Sequence, residues 1–131
     1  MRKSIQETIA ASIQVKQAVL NSSTHMNCIE DIAKACIQAY KTDNKVLLCG
    51  NGGSAADAQH IAAELSGRFY KDRSPLFAEA LHVNSSYITA VANDYGFDAV
   101  YARLVEAFGR PGDILIGLST SGNSANVVQA H

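Results

Sequence analysis

A short apolar segment, followed by a glycine-rich loop and a helical pattern, constrains the fold of this chain most. Residues 46–49 are all apolar, and residues 50–54 separate them from a helical pattern that continues to Glu64. A strand that leads through small residues into a helix leaves unpaired N–H groups at the helix N-terminus, and these favour an anion such as phosphate. Residues 114–118 lead in the same way into residues 119–124. Two such junctions predict a site for one phosphorylated ligand.

Strand and helix patterns alternate from residue 45 onward. The unbroken apolar run at 46–49 indicates that the strand predicted at 45–49 is buried on both faces, as in a parallel sheet covered by helices. Two further strands are predicted, at 113–118 and, less clearly, at 77–83. Helices are predicted at 54–69, 85–92 and 98–108. We therefore predict an α/β fold, a three-layer αβα sandwich with a parallel sheet.

Two helices are predicted before the first strand. Ser4 and Glu7 have the spacing of a capping box, and Ile5, Ile9 and Ile13 follow at four-residue spacing, so the first helix should continue to about residue 20. Apolar residues between 29 and 40 recur with helical periodicity and predict the second helix.

Length, charge and cysteine content exclude several classes of protein. The 131 residues suffice for at most one domain, and a net charge of -1 gives no broad positive field for nucleic acid or for a membrane surface. No apolar run approaches the ~20 residues of a membrane span, so we expect a cytoplasmic protein. The three cysteines occupy apolar positions of helix or strand patterns and are predicted to be buried: Cys28, Cys36 and Cys49.

The last residues, 126–131, begin a helix that has no stop signal and too little length to cover a sheet. We therefore expect the chain to be truncated at its C-terminus, as the N-terminal part of a longer protein.

A polar stripe follows the first glycine loop. His60 and Glu64 are four residues apart on one helical face, with Asp57 one turn before them and Arg68 one turn after. A solvated face is one interpretation. The other is catalytic, because a carboxylate beside a bound sugar phosphate can remove a proton next to a carbonyl, and a nearby histidine can share a metal with it.

The glycine loop has two other interpretations. Its glycines resemble the relaxed dinucleotide fingerprint, but no acidic residue ends the second predicted strand, and no Walker lysine follows. A plain tight turn would also use Gly52 and Gly53. The hydroxyl-rich second loop favours a ligand site over a turn. For Asn93 and Asp94, an Asx turn and a ligand contact remain equally open.

Several motifs together resemble the sedoheptulose 7-phosphate isomerases, also called phosphoheptose isomerases, a branch of the sugar isomerase (SIS) fold. The resemblance covers essentially the whole chain. It is carried by residues 49–60, Glu64, residues 67–68, residues 92–97 and residues 119–124. It implies conversion of sedoheptulose 7-phosphate to D-glycero-D-manno-heptose 7-phosphate through an enediol, the first step toward the heptose of lipopolysaccharide.

The resemblance also implies the roles of individual residues. Glu64 would be the catalytic base and would contact substrate, and His60 with Glu64 would supply two ligands of one zinc ion per subunit. The remaining substrate-binding residues would be Asn51, Gly52, Gly53, Asn93, Asp94, Ser119, Thr120, Ser121 and Ser124.

The resemblance further implies a homotetramer. It makes the chain one SIS domain, with leading helices at 1–42 used for oligomerisation and an incomplete αβ core at 43–131. The family's further acid/base histidine and a metal-sharing glutamine come from a C-terminal helix that this sequence does not contain, so a polypeptide that ends at His131 is expected to be inactive. The alternative function is a non-catalytic SIS module that binds a sugar phosphate or a protein partner.

Overall fold

A computed structural model describes all residues from 1 to 131. The chain divides into two compact units, Met1–Ala35 and Cys36–His131. Helix α1 is Arg2–Leu20, and helix α2 is Ser23–Lys41. The two predicted leading helices are confirmed. None of the helices combines the length with the apolar composition that a membrane-spanning helix needs.

The capping box predicted at Ser4 is wrong. Helix α1 begins at Arg2, and Met1 occupies the N-cap position without a side-chain hydrogen bond. Ser4 lies inside the helix, and its carbonyl accepts a hydrogen bond from Thr8 Oγ1 at 3.0 Å. Residues 1–3 carry no helix-breaking residue, so the helix continues past the serine to the chain end.

The second unit contains a three-stranded parallel sheet. Strands β1 (Val46–Gly50), β2 (Ala78–Ala80) and β3 (Ile114–Leu118) are arranged in the order β2-β1-β3. All five residues of the central strand are buried, which confirms the interpretation of residues 45–49. At the carboxyl end of the sheet, Gly50 pairs with Leu118.

Helices cover both faces of this sheet. They are α3 (Gly53–Ser66), α4 (Ser85–Tyr95), α5 (Val100–Phe108, after a 3-10 turn at Phe97–Ala99) and the short α6 (Ala125–Val128). Leu47 and Cys49 pack on one face with residues of α4, α5 and α6. Val46 and Leu48 pack on the other face with α3 and the end of α2. The predicted αβα layers are confirmed.

Three element boundaries differ from the sequence prediction. Strand β2 covers only three residues, because the Val83 N–H turns back to the Ala80 carbonyl at 3.3 Å. Helix α3 ends at Ser66, before Gly67, so Arg68 does not extend the polar stripe. Helix α4 continues to Tyr95 and stops where Gly96 takes a φ of 88°.

The cysteine prediction is correct only in part. Cys49 is buried in the central strand, and burial raises the pKa of its thiol to about 11. Cys36 is half-buried, and Cys28 is exposed on α2, contrary to expectation. An apolar position in a helical pattern does not by itself specify burial, since much of a folded surface is apolar.

A partly buried ion pair joins the amino-terminal ends of β1 and β3. The Asp113 carboxylate accepts hydrogen bonds from the Lys45 ammonium, from the Lys45 N–H at 3.0 Å and from the Arg110 N–H at 2.7 Å. Only 7% of the Asp113 side chain and 15% of the Lys45 side chain are exposed. Burial alone would raise the pKa of Asp113, but the Lys45 and backbone donors outweigh it and lower that pKa.

Candidate functional site

The glycine loop between β1 and α3 presents free backbone donors. The Ser54 N–H bonds to the Asn51 carbonyl at 3.0 Å, and the Ala55 and Ala56 N–H groups both bond to the Gly52 carbonyl at 3.1 Å. The N–H groups of Gly52 and Gly53 make no hydrogen bond. They lie at the start of α3, where the helix dipole adds positive potential, so they are suited to an anion.

The chain passes very close to itself at Gly50. A Cβ atom on this residue would lie 2.7 Å from the Ser54 carbonyl oxygen and 2.8 Å from the Ser54 carbonyl carbon. These are backbone atoms of the first turn of α3, so they cannot move aside without displacing the loop. Gly50 thereby allows the tight return from strand to helix.

We expect Gly50→Ala to lower the free energy of unfolding by about 2 kcal/mol, because the added methyl group overpacks a rigid turn. Gly53→Ala is the matched control, since a Cβ there meets nothing within 4 Å. It should change stability by no more than ~0.5 kcal/mol. Urea denaturation of the two variants measures both values, and equal stabilities would contradict the close approach.

The second loop, after β3, is a cluster of hydroxyl groups. Ser119 Oγ lies 3.1 Å from Ser124 Oγ and 3.4 Å from Ser121 Oγ. Ser119 Oγ also accepts from the Gly122 N–H, and Ser121 Oγ accepts from the Asn123 N–H, both at 3.1 Å. Thr120 is exposed and makes no hydrogen bond. The structure thus brings together three of the four hydroxyl residues predicted to bind substrate.

The two loops share one edge of the sheet. Strands β1 and β3 are parallel neighbours, so residues 51–54 and 119–124 both follow carboxyl strand ends. The side-chain amides of Asn51 and Asn126 join the loops through two hydrogen bonds of 2.8 and 2.9 Å. The inference that the two junctions serve one site therefore agrees with the geometry.

The sequence interpretation missed two residues that hold the glycine loop. Asn126 is 2% exposed, and Tyr101 of α5, also 2% exposed, donates its hydroxyl hydrogen to the Gly50 carbonyl. A polar Asn126 within an otherwise apolar helix start was the only available signal. Tyr101 gave none, because its partner is 51 residues away.

His60 and Glu64 lie on one face of α3, as predicted. His60 Nε2 is 3.2 Å from Glu64 Oε1. The histidine side chain is 74% exposed, whereas the glutamate side chain is 35% exposed. Glu64 Oε2 is buried and has no hydrogen-bond partner. A buried carboxylate oxygen without a donor is suited to receive a proton or to bind a cation.

An open cleft of about 860 Å³ lies beside this pair. It is lined by Asp57, His60, Ile61, Glu64, Leu65, Phe69, Tyr70, Lys71, Arg73 and Leu118. Leu118 is the last residue of β3, so the cleft extends from the carboxylate to the strand residue that directly precedes the hydroxyl-rich loop. The cleft therefore joins Glu64 to the carboxyl end of β3, the strand that leads into the second predicted binding loop.

Arg73, and not Arg68, is the arginine of this cleft. Its guanidinium donates to the Leu65 carbonyl at 2.8 Å and to the Glu64 carbonyl at 3.2 Å, at the C-terminal end of α3. A cation at this end of a helix satisfies carbonyls that lack intrahelical partners. Arg68 follows the helix end and does not line the cleft.

Asn93 and Asp94 are not joined to this site by hydrogen bonds. Both are exposed in the last turn of α4, where Asn93 Nδ2 donates to Asp94 Oδ1 at 2.8 Å. Neither residue lines the cleft. Their contact with substrate stays a prediction.

The donor set for a metal is incomplete within residues 1–131. His60 and Glu64 present a nitrogen and a carboxylate at a spacing that suits one ion, and the orphaned Glu64 Oε2 adds an acceptor. No group of three or more His, Cys, Asp or Glu side chains lies together. Catalytic zinc takes three protein ligands as a rule, so this pair fits part of a zinc site.

Comparison with known proteins identifies the family. The family model described as "SIS domain" matches residues 9–131. The phosphoheptose isomerase of Sulfurimonas denitrificans is 49% identical over 130 residues, which are 99% of this chain and 67% of that protein. The phosphoheptose isomerase of Clostridium acetobutylicum is 51% identical, again over 99% of this chain, and over 66% of its own length.

Solved structures agree with this assignment. The phosphoheptose isomerase of Neisseria gonorrhoeae superposes with a TM-score of 0.90 at 45% identity, over 98% of this chain and 66% of that one. The enzyme of Francisella tularensis gives a TM-score of 0.91 at 39% identity, over the same shares. The chain spans about two thirds of the length of these relatives. It belongs to the SIS-domain family, within the phosphoheptose isomerases.

Proposed function

We propose that the complete natural protein is an aldose–ketose isomerase that converts sedoheptulose 7-phosphate to D-glycero-D-manno-heptose 7-phosphate. The observation that carries the proposal is the buried, unpartnered Oε2 of Glu64, beside a cleft that reaches Leu118, the strand residue directly before the hydroxyl-rich loop. The relatives at about half identity are named phosphoheptose isomerases, which supports this substrate class. Glu64 and these relatives disfavour a non-catalytic binding module.

The glycine loop and the hydroxyl-rich loop would hold the substrate. The free N–H groups of Gly52 and Gly53 and the hydroxyls of Ser119, Ser121 and Ser124 supply the donors that a phosphate monoester requires. Because both loops lie at one sheet edge, they would bind one ligand and fix its sugar chain. Asn51 and Thr120 lie in the same two loops. We retain Asn93 and Asp94 as further predicted contacts with the substrate.

Glu64 would act as the base. Its carboxylate would take a proton from C1 of the ketose, which leaves an enediol with a C1–C2 double bond. The Glu64 carboxyl, after exchanging its proton with solvent, would deliver a proton to C2, and transfer of the hydroxyl proton from O1 to O2 gives the aldose. No atoms are gained or lost. An oxygen that accepts no hydrogen bond in the resting site is free to receive this proton.

Zinc is part of the proposal. His60 Nε2 and the Glu64 carboxylate would supply two of its ligands. A bound zinc ion supplies Lewis-acid polarisation of a sugar oxygen. Metal analysis of the complete natural protein tests this point, and a protein that retains full activity without any bound metal would contradict it.

Assembly as a homotetramer in the cytoplasm, on the route to lipopolysaccharide heptose, also belongs to the proposal. Ile5, Ile9 and Ile13 form one stripe on α1 and are 54%, 55% and 61% exposed, which supports its burial against further copies of the chain. Light scattering on the complete natural protein should give four subunits, and a monomer would contradict the assembly.

A direct conversion assay tests the activity. Sedoheptulose 7-phosphate is incubated with the complete natural protein in D₂O, and proton NMR follows the aldose product and deuterium at its C2. We expect both to appear. Loss of substrate without an aldose, or no reaction at all, would contradict the proposed function.

A further inference from the structure

We propose that Asn126 is a positioning residue for the phosphate-binding loops, and that Asn51 acts by holding Asn126 and not by contacting the sugar phosphate through its side chain. This inference rests on the proposed function, since it assigns how that site is kept in shape. Asn126 is not among the site residues that the sequence analysis predicted.

The Asn51–Asn126 pair makes the only side-chain hydrogen bonds between the glycine loop and the segment formed by the hydroxyl-rich loop and α6. Asn51 Nδ2 donates to Asn126 Oδ1 at 2.8 Å, and Asn126 Nδ2 donates to Asn51 Oδ1 at 2.9 Å. The partners are 75 residues apart in sequence. The sheet ladder ends at the Gly50–Leu118 register pair, just before the loops begin. Beyond that point, the relative position of the loops depends on this amide pair.

The burial of Asn126 makes loss of these two hydrogen bonds costly. Asn126 is the one polar residue of the chain among its buried residues, at 2% exposure. Its amide has no alternative partner, so breaking the pair leaves a buried donor and acceptor unsatisfied. Asn126 also belongs to α6, which begins directly after the hydroxyl-rich loop. A displacement of Asn126 would therefore also displace the end of that loop.

The same hydrogen bonds occupy most of the donors and acceptors of the Asn51 side chain. Its Oδ1 and one N–H are used by Asn126, and its backbone carbonyl is used by Ser54. The donors that remain free in this loop are the backbone N–H groups of Gly52 and Gly53. Substrate affinity should therefore depend on Asn51 and Asn126 through the same bond.

A double-mutant cycle tests the inference in the complete natural protein. Asn51→Leu, Asn126→Leu and the double variant are assayed for KM and kcat with sedoheptulose 7-phosphate. We expect KM to rise by about tenfold in each single variant, because misplaced binding groups weaken binding. The KM of the double variant should not exceed that of the single variant with the higher KM, because all three variants lose the same pair of hydrogen bonds. The kcat should change far less, because Glu64 is untouched.

Val127→Ala is the matched control. Val127 neighbours Asn126 in α6 and is 5% exposed, so its truncation weakens packing but keeps the amide pair. A loss of folded protein lowers the apparent kcat and leaves KM unchanged. We therefore expect a wild-type KM for this variant even where stability falls. If Asn126→Leu does not fold, the KM of Asn51→Leu decides the test, because Asn51 is only half-buried.

Two results would overturn the inference while the wild-type protein remains active. One is a KM within a factor of about two of wild type in the folded single variants. The other is multiplication of the two single effects in the double variant, which would mean that each residue contacts the substrate independently. A wild-type protein that does not turn over sedoheptulose 7-phosphate would instead refute the proposed function, and this inference with it.

Discussion

Glu64→Gln is expected to lower the turnover of sedoheptulose 7-phosphate by about a thousandfold, because an amide cannot accept the C1 proton. Substrate affinity should change little, since the predicted phosphate donors lie in the two loops. The measurement is kcat and the C1/C2 deuterium exchange rate in the complete natural protein, with the dissociation constant measured alongside. The glutamine keeps the shape of the side chain, so packing against the buried Oε2 position is preserved.

Glu106→Gln is the matched control for this experiment. Glu106 is exposed on α5 and does not line the cleft, so its turnover should equal that of wild type. Zinc content is measured in both variants, because Glu64 is also a proposed ligand. Normal turnover by Glu64→Gln would remove the assigned base. Lost turnover with lost zinc, restored by added zinc, would also show that the carboxylate is not the base.

Asp113→Asn is expected to lower the free energy of unfolding at pH 7 by about 3 kcal/mol, because it leaves the partly buried Lys45 ammonium without its countercharge. The Asp113 carboxylate also accepts hydrogen bonds from the backbone N–H groups of Lys45 and Arg110. One substitution therefore weakens the start of both β1 and β3. Urea denaturation of this chain measures the loss. Asp72→Asn, in an exposed loop, is the control and should have no effect.

The Asp113 effect should depend on pH in one direction. The folded-state pKa of this carboxyl lies below its ordinary value of 3.8. Its contribution is therefore fully present above that ordinary value, and it is lost as the pH falls through the folded-state pKa. The stability difference between wild type and Asp113→Asn should shrink below pH ~4. A difference that stays constant from pH 7 to pH 3 would contradict the role of the ionised pair.

The parts of the fold that depend on local pattern were predictable from the sequence. The unbroken apolar run at 46–49 predicted a parallel strand buried on both faces, and the structure confirms it. From parallel strands it followed that both small-residue loops lie at one sheet edge. The spacing of His60 and Glu64 predicted a shared helix face, and the atoms are 3.2 Å apart.

Features that depend on distant contacts were not predictable in this way. The position of Arg73 beside Glu64 requires the chain to fold back after Gly67, and the link between Asn51 and Asn126 joins residues 75 positions apart. Helix ends were also misjudged. The pattern continued past Ser66, but Gly67 ends α3 and removes Arg68 from the stripe.

The central claim is that one sugar phosphate contacts both loops while its C1 and C2 face Glu64. A crystal structure of the complete natural protein with sedoheptulose 7-phosphate tests this most directly. We predict the phosphate within hydrogen-bond distance of the loop donors, with contacts to both the Gly52–Gly53 segment and the serine hydroxyls, and Glu64 next to C1 and C2. A ligand that touches only one loop, or that lies with C1 and C2 remote from Glu64, would contradict the account.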